Sequence, residues 1–230
     1  MTVSAKPFVI PIEFFSDSLC PWCWVEKHSL EAAMLNFRKK YPDVDFELIW
    51  RSYCLNPLLK TQCDKLSLYD EWAGGKSDQQ LSRVRTAAAK YSLPLAISGS
   101  SGPSRASQIL LASVLRHAGP EAQARVAEAL FRGHFAEGRN VSDVEWLVSL
   151  ACQLVGLSEN LVRADLDNPS LGRAVDEEFE EAVEERGVEA VPCVIVLGKY
   201  KAGGYQQEDF FFTLFERIRA EYLLPAKSKP

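Results

Sequence analysis

A change of hydrophobic period around residue 20 constrains the fold of this chain more than any other feature. Phe8-Val9-Ile10-Pro11-Ile12-Glu13-Phe14-Phe15 is a short apolar run bounded by Ser16-Asp17-Ser18. It reads as a buried strand with a proline near its start. Cys20-Pro21-Trp22-Cys23 follows, and beyond it Trp24, His28, Leu30, Met34 and Phe37 suit an amphipathic helix. Arg38-Lys39-Lys40 places cations where a helix C-terminus favours them, and Tyr41-Pro42-Asp43 stops the helix. Asp45-Phe46-Glu47-Leu48-Ile49-Trp50-Arg51 alternates as a second strand. Strand, helix and strand at this spacing form a βαβ unit with parallel strands.

From about Asp64 the texture is helical for more than a hundred residues. Ile109 to Leu115 is apolar enough to be buried on most sides, and Val126, Leu130, Phe131 and Phe135 mark a further amphipathic helix. Val144, Leu147, Val148, Ala151, Cys152 and Val155 mark another. A last helix of the block, near 170–186, turns Val175, Phe179, Ala182 and Val183 inward and its glutamates mostly outward, with Gly187 as its cap. Strand texture returns at Val194-Ile195-Val196-Leu197, with Gly198-Lys199 as a hairpin turn and Tyr200-Lys201-Ala202 as the return strand. Gln207 to Leu223 closes the pattern as an amphipathic helix. A βαβ start and a ββα end allow one sheet built from both ends of the chain around a helical insertion. The boundaries expected are a sheet domain of 1–63 with 188–230 and an insertion of 64–187.

The chain has 230 residues, 47% of them hydrophobic, and a formal net charge of −5. Apart from the three cations at 38–40 and the short tail Lys227-Ser228-Lys229 it has no basic run, so nucleic acid is not an expected partner, because phosphate neutralisation needs clustered cations. No stretch approaches the ~18 apolar residues that a membrane span needs. Met1-Thr2-Val3-Ser4-Ala5-Lys6 carries no hydrophobic signal core, which makes the cytoplasm the expected compartment. Six cysteines are too few for a disulfide scaffold.

Two thiols three residues apart at a strand-to-helix turn read as a dithiol redox site. With Cys20 at the helix entrance, Pro21 occupies the first helical position, where its missing N–H costs nothing. The orphan N–H groups and the positive end of the helix dipole favour the anionic form of a sulfur placed there. Cys20 is thus the expected nucleophile, and Cys23, one turn on and more buried, the resolving thiol. Trp22 between them is expected to be exposed as an apolar contact for substrate. His28, about 12 Å along the helix, is a poor base. Glu26 reads as a solvated helix residue, whereas Glu13 interrupts an apolar strand and is the candidate proton relay for Cys23. A zinc site would need a second pair at ligand spacing, which Cys54/Cys63 and Cys152/Cys193 do not supply. Val191-Pro192 ahead of the late strand is a place for a cis bond that brings the Val191 backbone to the thiols. Cys193 reads either as a buried strand residue or as a third redox thiol.

Together these pieces resemble the DsbA-like thioredoxin-fold family, and within it the intracellular FrnE-type branch. The likeness is carried by Ile12-Glu13-Phe14-Phe15-Ser16-Asp17-Ser18-Leu19-Cys20-Pro21-Trp22-Cys23, by Leu55-Asn56-Pro57, by the run from Leu130 to Asp143, and by Gly187-Val188-Glu189-Ala190-Val191-Pro192. The resemblance implies an α/β thioredoxin fold (βαβ … ββα) with a large all-helical insertion, a redox-active Cys20/Cys23 pair and a cis Pro192. Members are oxidoreductases or isomerases, some serving polyketide or other secondary metabolism. The related kappa-type glutathione transferases and hydroxychromene-carboxylate isomerases usually carry serine at the first thiol position. Cys193 stands where the family commonly has an aromatic residue, and Ser104-Arg105-Ala106-Ser107-Gln108-Ile109 lacks the usual Ala-His-Arg.

The function expected is thiol–disulfide exchange, with Trp22, Val191 and Pro192 shaping the substrate groove. The substrate would be a disulfide-containing protein or small molecule. No cofactor is expected beyond glutathione as co-substrate, and exposed apolar helix faces permit a homodimer. The alternatives are a glutathione-dependent transferase or isomerase of an aromatic small molecule, and a non-catalytic binding module.

Overall fold

The computed structural model describes residues 7–223; the 1–6 leader and the 227–229 tail discussed above lie outside the described residues. The elements run β1 (Phe8–Ser16), α1 (Pro21–Lys40), β2 (Val44–Ser52), β3 (Cys63–Asp64), α2 (Lys65–Trp72), α3 (Ser77–Ala89), β4 (Ser100–Ser101), α4 (Arg105–Ala136), α5 (Val144–Val155), α6 (Glu159–Leu166), α7 (Pro169–Glu184), β5 (Cys193–Val196), β6 (Tyr200–Gly203) and α8 (Glu208–Leu223). One sheet has the order β2-β1-β5-β6, with β1 parallel to β2 and antiparallel to β5. The sheet is therefore built from both ends of the chain. The insertion is not purely helical: β3 and β4 form a two-residue antiparallel ladder within it, too short for any periodicity to show.

Period-2 alternation in β1 divides the core. Ile10, Ile12 and Phe14 pack with α1 and α8, whereas Phe15 joins Tyr53, Ala182, Val188, Cys193 and Ile195 on the other face, under α7. Phe37, Phe46, Phe211 and Phe215 lock α1, β2 and α8 together through edge-on, tilted and stacked ring contacts. The large cluster continues without a break through Leu110, Val114, Val126, Leu130 and Leu147, so the sheet and the insertion helices share one core.

A proline in a central strand needs an explanation, because it cannot donate to the ladder. Pro11 sits where β5 has already ended: β5 pairs only as far as Ile12↔Val196, and the Pro11 carbonyl accepts from Leu197 (2.9 Å) as that chain turns away. Leu197 and Gly198 both take positive φ (55° and 63°), the conformation that a tight I′ hairpin turn requires, and Lys199 N–H returns to Val196 O (3.1 Å). On α7, Val183 is exposed rather than inward, because the helix buries only the stripe through Gly172, Val175 and Ala182. α4 breaks at Gly119-Pro120, where Gly119 adopts φ 83° and no i→i−4 bond is available to the proline.

β2 lies at the edge of the sheet, and α4 covers that edge with one side chain. The Gln123 amide accepts from Trp50 N–H (2.9 Å) and donates to Trp50 O (3.1 Å) and Leu111 O (3.2 Å). This is side-chain protection of a strand edge. Gln123→Ala leaves the buried N–H and carbonyl of Trp50 unpaired; the expected loss is about 2–4 kcal/mol of stability, read from urea unfolding midpoints at unchanged slope.

Candidate active site

Cys20 stands at the N-cap of α1 with extended backbone (φ −94°, ψ 109°), and Pro21 opens the helix behind it. No side chain caps this end, and Cys23 N–H closes the first turn on Cys20 O (3.0 Å). Both sulfurs belong to free thiols. Cys20 is 4% exposed and Cys23 fully buried. Burial, followed by the neighbouring Cys20, pushes the Cys23 thiol well above its ordinary value. The Val191–Pro192 bond is cis, and the Cys20 thiol points at Val191 O (3.6 Å). Thus Cys20, Cys23 and the Val191-Pro192 segment, expected together, meet in one place.

Trp22 is not the free contact expected of it. It is half-buried and stacks on Tyr205 (5.3 Å between centroids), from the loop after β6. Glu13 faces the opposite side of the sheet, where Arg51 (2.9 Å) and Arg186 (2.5 Å) hold it; the Arg186 hydrogen bond is the main reason its pKa is lowered. Strand alternation separates it from α1, so Glu13 is a structural ion-pair centre and no relay to Cys23. Cys193 points into the cluster with Phe15, Val188 and Ile195, on that same far face, and its pKa is raised by burial. This is the buried-strand reading rather than that of a third thiol beside the pair. His28 and Lys27 are taken up by Glu128 (3.1 Å each). Burial pushes Glu128 up, but those two cations outweigh it and bring its pKa to about 2.

Two carboxylates that sequence reasoning passed over lie at the site. Asp17 is fully buried in the turn between β1 and α1. Its Oδ1 accepts from Leu19 N–H (2.9 Å), and its Oδ2 from Leu55 N–H (2.7 Å) and the Ser104 hydroxyl (2.9 Å). Burial raises its pKa to about 6 against those three donors, and its charge adds to the upward shift of Cys23. Glu26, read above as solvated, is fully buried. Its Oε2 accepts from Gln206 N–H (2.7 Å) while Oε1 has no partner, and burial lifts its pKa to about 8. The N-terminal half of α1 is buried almost all round, so helical periodicity has no solvent face to reveal there. Tyr69 of α2 is the third addition: buried, its hydroxyl donates to Leu19 O, next to Cys20, and lies 3.4 Å from His134 Nε2.

Beside the thiols is a cavity of about 210 Å³. Cys20, Pro21, Trp22 and Val191 form its inner wall, Leu55 contributes from the loop after β2, and α2 and α3 complete it with Tyr69, Trp72, Leu81 and Val84.

The DSBA-like thioredoxin domain family matches residues 11–215. The chain belongs to this family. Its members are DsbA-like thiol oxidoreductases, and the fold seen here is theirs, a thioredoxin-like sheet carrying a helical insertion. Among solved structures, a probable DsbA oxidoreductase from Streptomyces coelicolor is 26% identical, with 96% of this chain and 94% of that one covered at a TM-score of 0.80. A 2-hydroxychromene-2-carboxylate isomerase is 19% identical (96% and 100% covered, TM-score 0.61). The cytosolic disulfide reductase DsbM from Pseudomonas aeruginosa, solved with glutathione, is 16% identical (91% and 99% covered, TM-score 0.58). These last two speak to the fold alone. Comparison with curated proteins gives no match. No helix among the described residues is long and apolar enough to cross a membrane.

Glu26 makes the stability of this DsbA-like domain depend on pH. A folded pKa near 8 against 4.5 means that the folded state holds the proton more tightly, so stability falls as pH climbs from about 4.5 to 8. Glu26→Gln removes that loss. The variant is expected to match the parent near pH 4.5 and to exceed it by about 1–4 kcal/mol at pH 8, in paired denaturant titrations.

Proposed function

We propose that this protein is a cytoplasmic dithiol–disulfide oxidoreductase, with Cys20 as the attacking sulfur and Cys23 as the resolving one. The observation that carries this reading is the placement of Cys20: it caps α1, lines the cavity and faces the Val191 carbonyl, while Cys23 sits fully buried one turn behind. Cys20 as thiolate attacks a substrate S–S bond, the leaving sulfur departs as thiolate and a mixed disulfide forms. Cys23 then loses its proton and attacks the Cys20 sulfur. The second substrate thiol is released, and the enzyme holds a Cys20–Cys23 disulfide. Two electrons pass from the enzyme to the substrate, and the reverse sequence oxidises a substrate dithiol.

Burial holds Cys23 protonated, so resolution needs a base. We assign this role to Asp17, the buried carboxylate whose charge Cys23 feels, in place of Glu13. Trp22 serves as a cavity wall, and Val191 with Pro192 forms the rim against which the substrate sulfur lies. Glutathione enters as one of the thiols able to reduce the enzyme disulfide.

Cys23→Ser should accumulate a mixed disulfide on Cys20, visible by intact mass, and lose turnover in a disulfide-reduction assay; Cys20→Ser should do neither. Full turnover by Cys23→Ser would defeat dithiol cycling. It would favour the second reading, in which Cys20 alone orients a bound thiol for transfer or isomerisation of an aromatic compound, a reading the apolar cavity supports. In single-turnover experiments Asp17→Asn should prolong the mixed disulfide about 10²-fold, the scale of one general base, while the first attack keeps its rate.

A further inference from the structure

The cavity beside Cys20 has an unusual inventory. None of its lining residues carries a charged side chain. Its two hydroxyls are already committed, Ser77 to Asp70 Oδ1 (2.7 Å) and Tyr69 to Leu19 O. The Gln80 amide, on an exposed position of α3, and the indole N–H groups of Trp22 and Trp72 are the remaining neutral hydrogen-bonding groups, and the rest of the wall is ring faces and aliphatic side chains. At about 210 Å³ the space equals the volume of roughly seven waters, enough for a substituted ring or a short branched chain. A carboxylate or ammonium entering it would shed water and meet no counter-charge, whereas an aromatic group would exchange water for ring and methyl contacts.

Resting on the dithiol reading above, we infer that the substrate of this site is an uncharged, low-molecular-weight aromatic disulfide or the corresponding thiol, its ring in the cavity and its sulfur at Cys20. Glutathione disulfide, with several carboxylates and ammonium groups, and extended polypeptide are the poorer substrates. In the reducing direction Cys20 displaces one aryl thiolate and Cys23 the second. The two protons of the enzyme thiols end on the released thiols, and an external dithiol such as dithiothreitol restores the enzyme.

The experiment measures the second-order rate of the reduced protein with dithiodipyridine (neutral, aromatic), dithiobis(nitrobenzoate) (anionic, aromatic), glutathione disulfide and insulin. Each rate is divided by that of a free small thiol, which removes intrinsic reactivity. The normalised rate for dithiodipyridine should exceed the other three by at least about tenfold. Gln80→Lys, at an exposed position where the fold is not at stake, should raise the normalised rate of the anionic reagent several-fold and leave glutathione disulfide the slower of the two. Normalised rates that agree within about threefold, or a highest rate for glutathione disulfide or insulin, overturn the substrate assignment and leave the dithiol cycle standing. Failure of Cys23→Ser to trap an aryl mixed disulfide removes the dithiol reading, and the assignment falls with it.

Discussion

Asp17 is a carboxyl group with no solvent, and a buried carboxyl is tolerated only where its oxygens find donors. It finds them in three separate stretches of chain: Leu19, one residue before Cys20; Leu55, in the loop leaving β2; and Ser104, at the start of α4. Its neighbours extend the same bolt. Ser18 shares a hydrogen bond with Ser107 (2.7 Å), and Gln108 donates to Ser16 O (3.0 Å) and Tyr53 O (3.3 Å). The turn that presents Cys20 is thus fixed to the insertion by polar contacts inside a dry interior, where each is strengthened and none is dispensable. The position of the thiols, the closure of the cavity by Leu55 and the docking of α4 on the sheet edge all depend on this junction.

That junction explains a departure from the family pattern. Ser104, Ser107 and Gln108 lie in the stretch where the sequence lacks the usual Ala-His-Arg, and they are the residues that meet the Ser16-Asp17-Ser18 turn. A cationic side chain aimed at the same turn would neutralise Asp17 directly. Here three neutral donors satisfy it, the backbone amides of Leu19 and Leu55 and the Ser104 hydroxyl, leaving a buried carboxyl whose pKa is raised to about 6 and whose charge acts on Cys23.

Much of the frame was legible because it rests on signals that survive in one dimension. The period switch at residue 20, the helix-opening Cys20-Pro21, the stop at Tyr41-Pro42 and the Gly198 hairpin each have a local physical cause, and each element formed, the hairpin one residue earlier than read, because Leu197-Gly198 rather than Gly198-Lys199 takes the positive φ of the turn. The site was legible where it is sequential, in Cys20 and Cys23, and where the Val191-Pro192 signal is strong. It was illegible where burial is decided by partners far along the chain. Glu26 and Asp17 look like ordinary surface acids until Gln206, Leu55 and Ser104 arrive. Glu13 looks like a buried relay until Arg51 and Arg186 claim it from the other side of the sheet. Trp22 reads as exposed because Tyr205, nearly two hundred residues on, cannot be seen to stack on it.

The two halves of the structure divide the chemistry between them. The sheet unit supplies the thiols at the helix entrance and the Val191 carbonyl that faces Cys20. The insertion supplies Tyr69, Trp72, Leu81 and Val84, the outer walls of the cavity beside that sulfur. A fold arranged in this way can keep one exchange reaction while its substrates diverge, because the walls sit on α2 and α3, outside the sheet that fixes the thiols. In this chain the walls are apolar, and the buried ionisable groups around the thiols, Asp17, Cys23 and Tyr69, are all pushed toward their neutral forms by burial. A site that disfavours charge on its own side chains disfavours it equally on a ligand, and for the same reason: the surrounding dielectric gives a charge too little in return for its lost hydration.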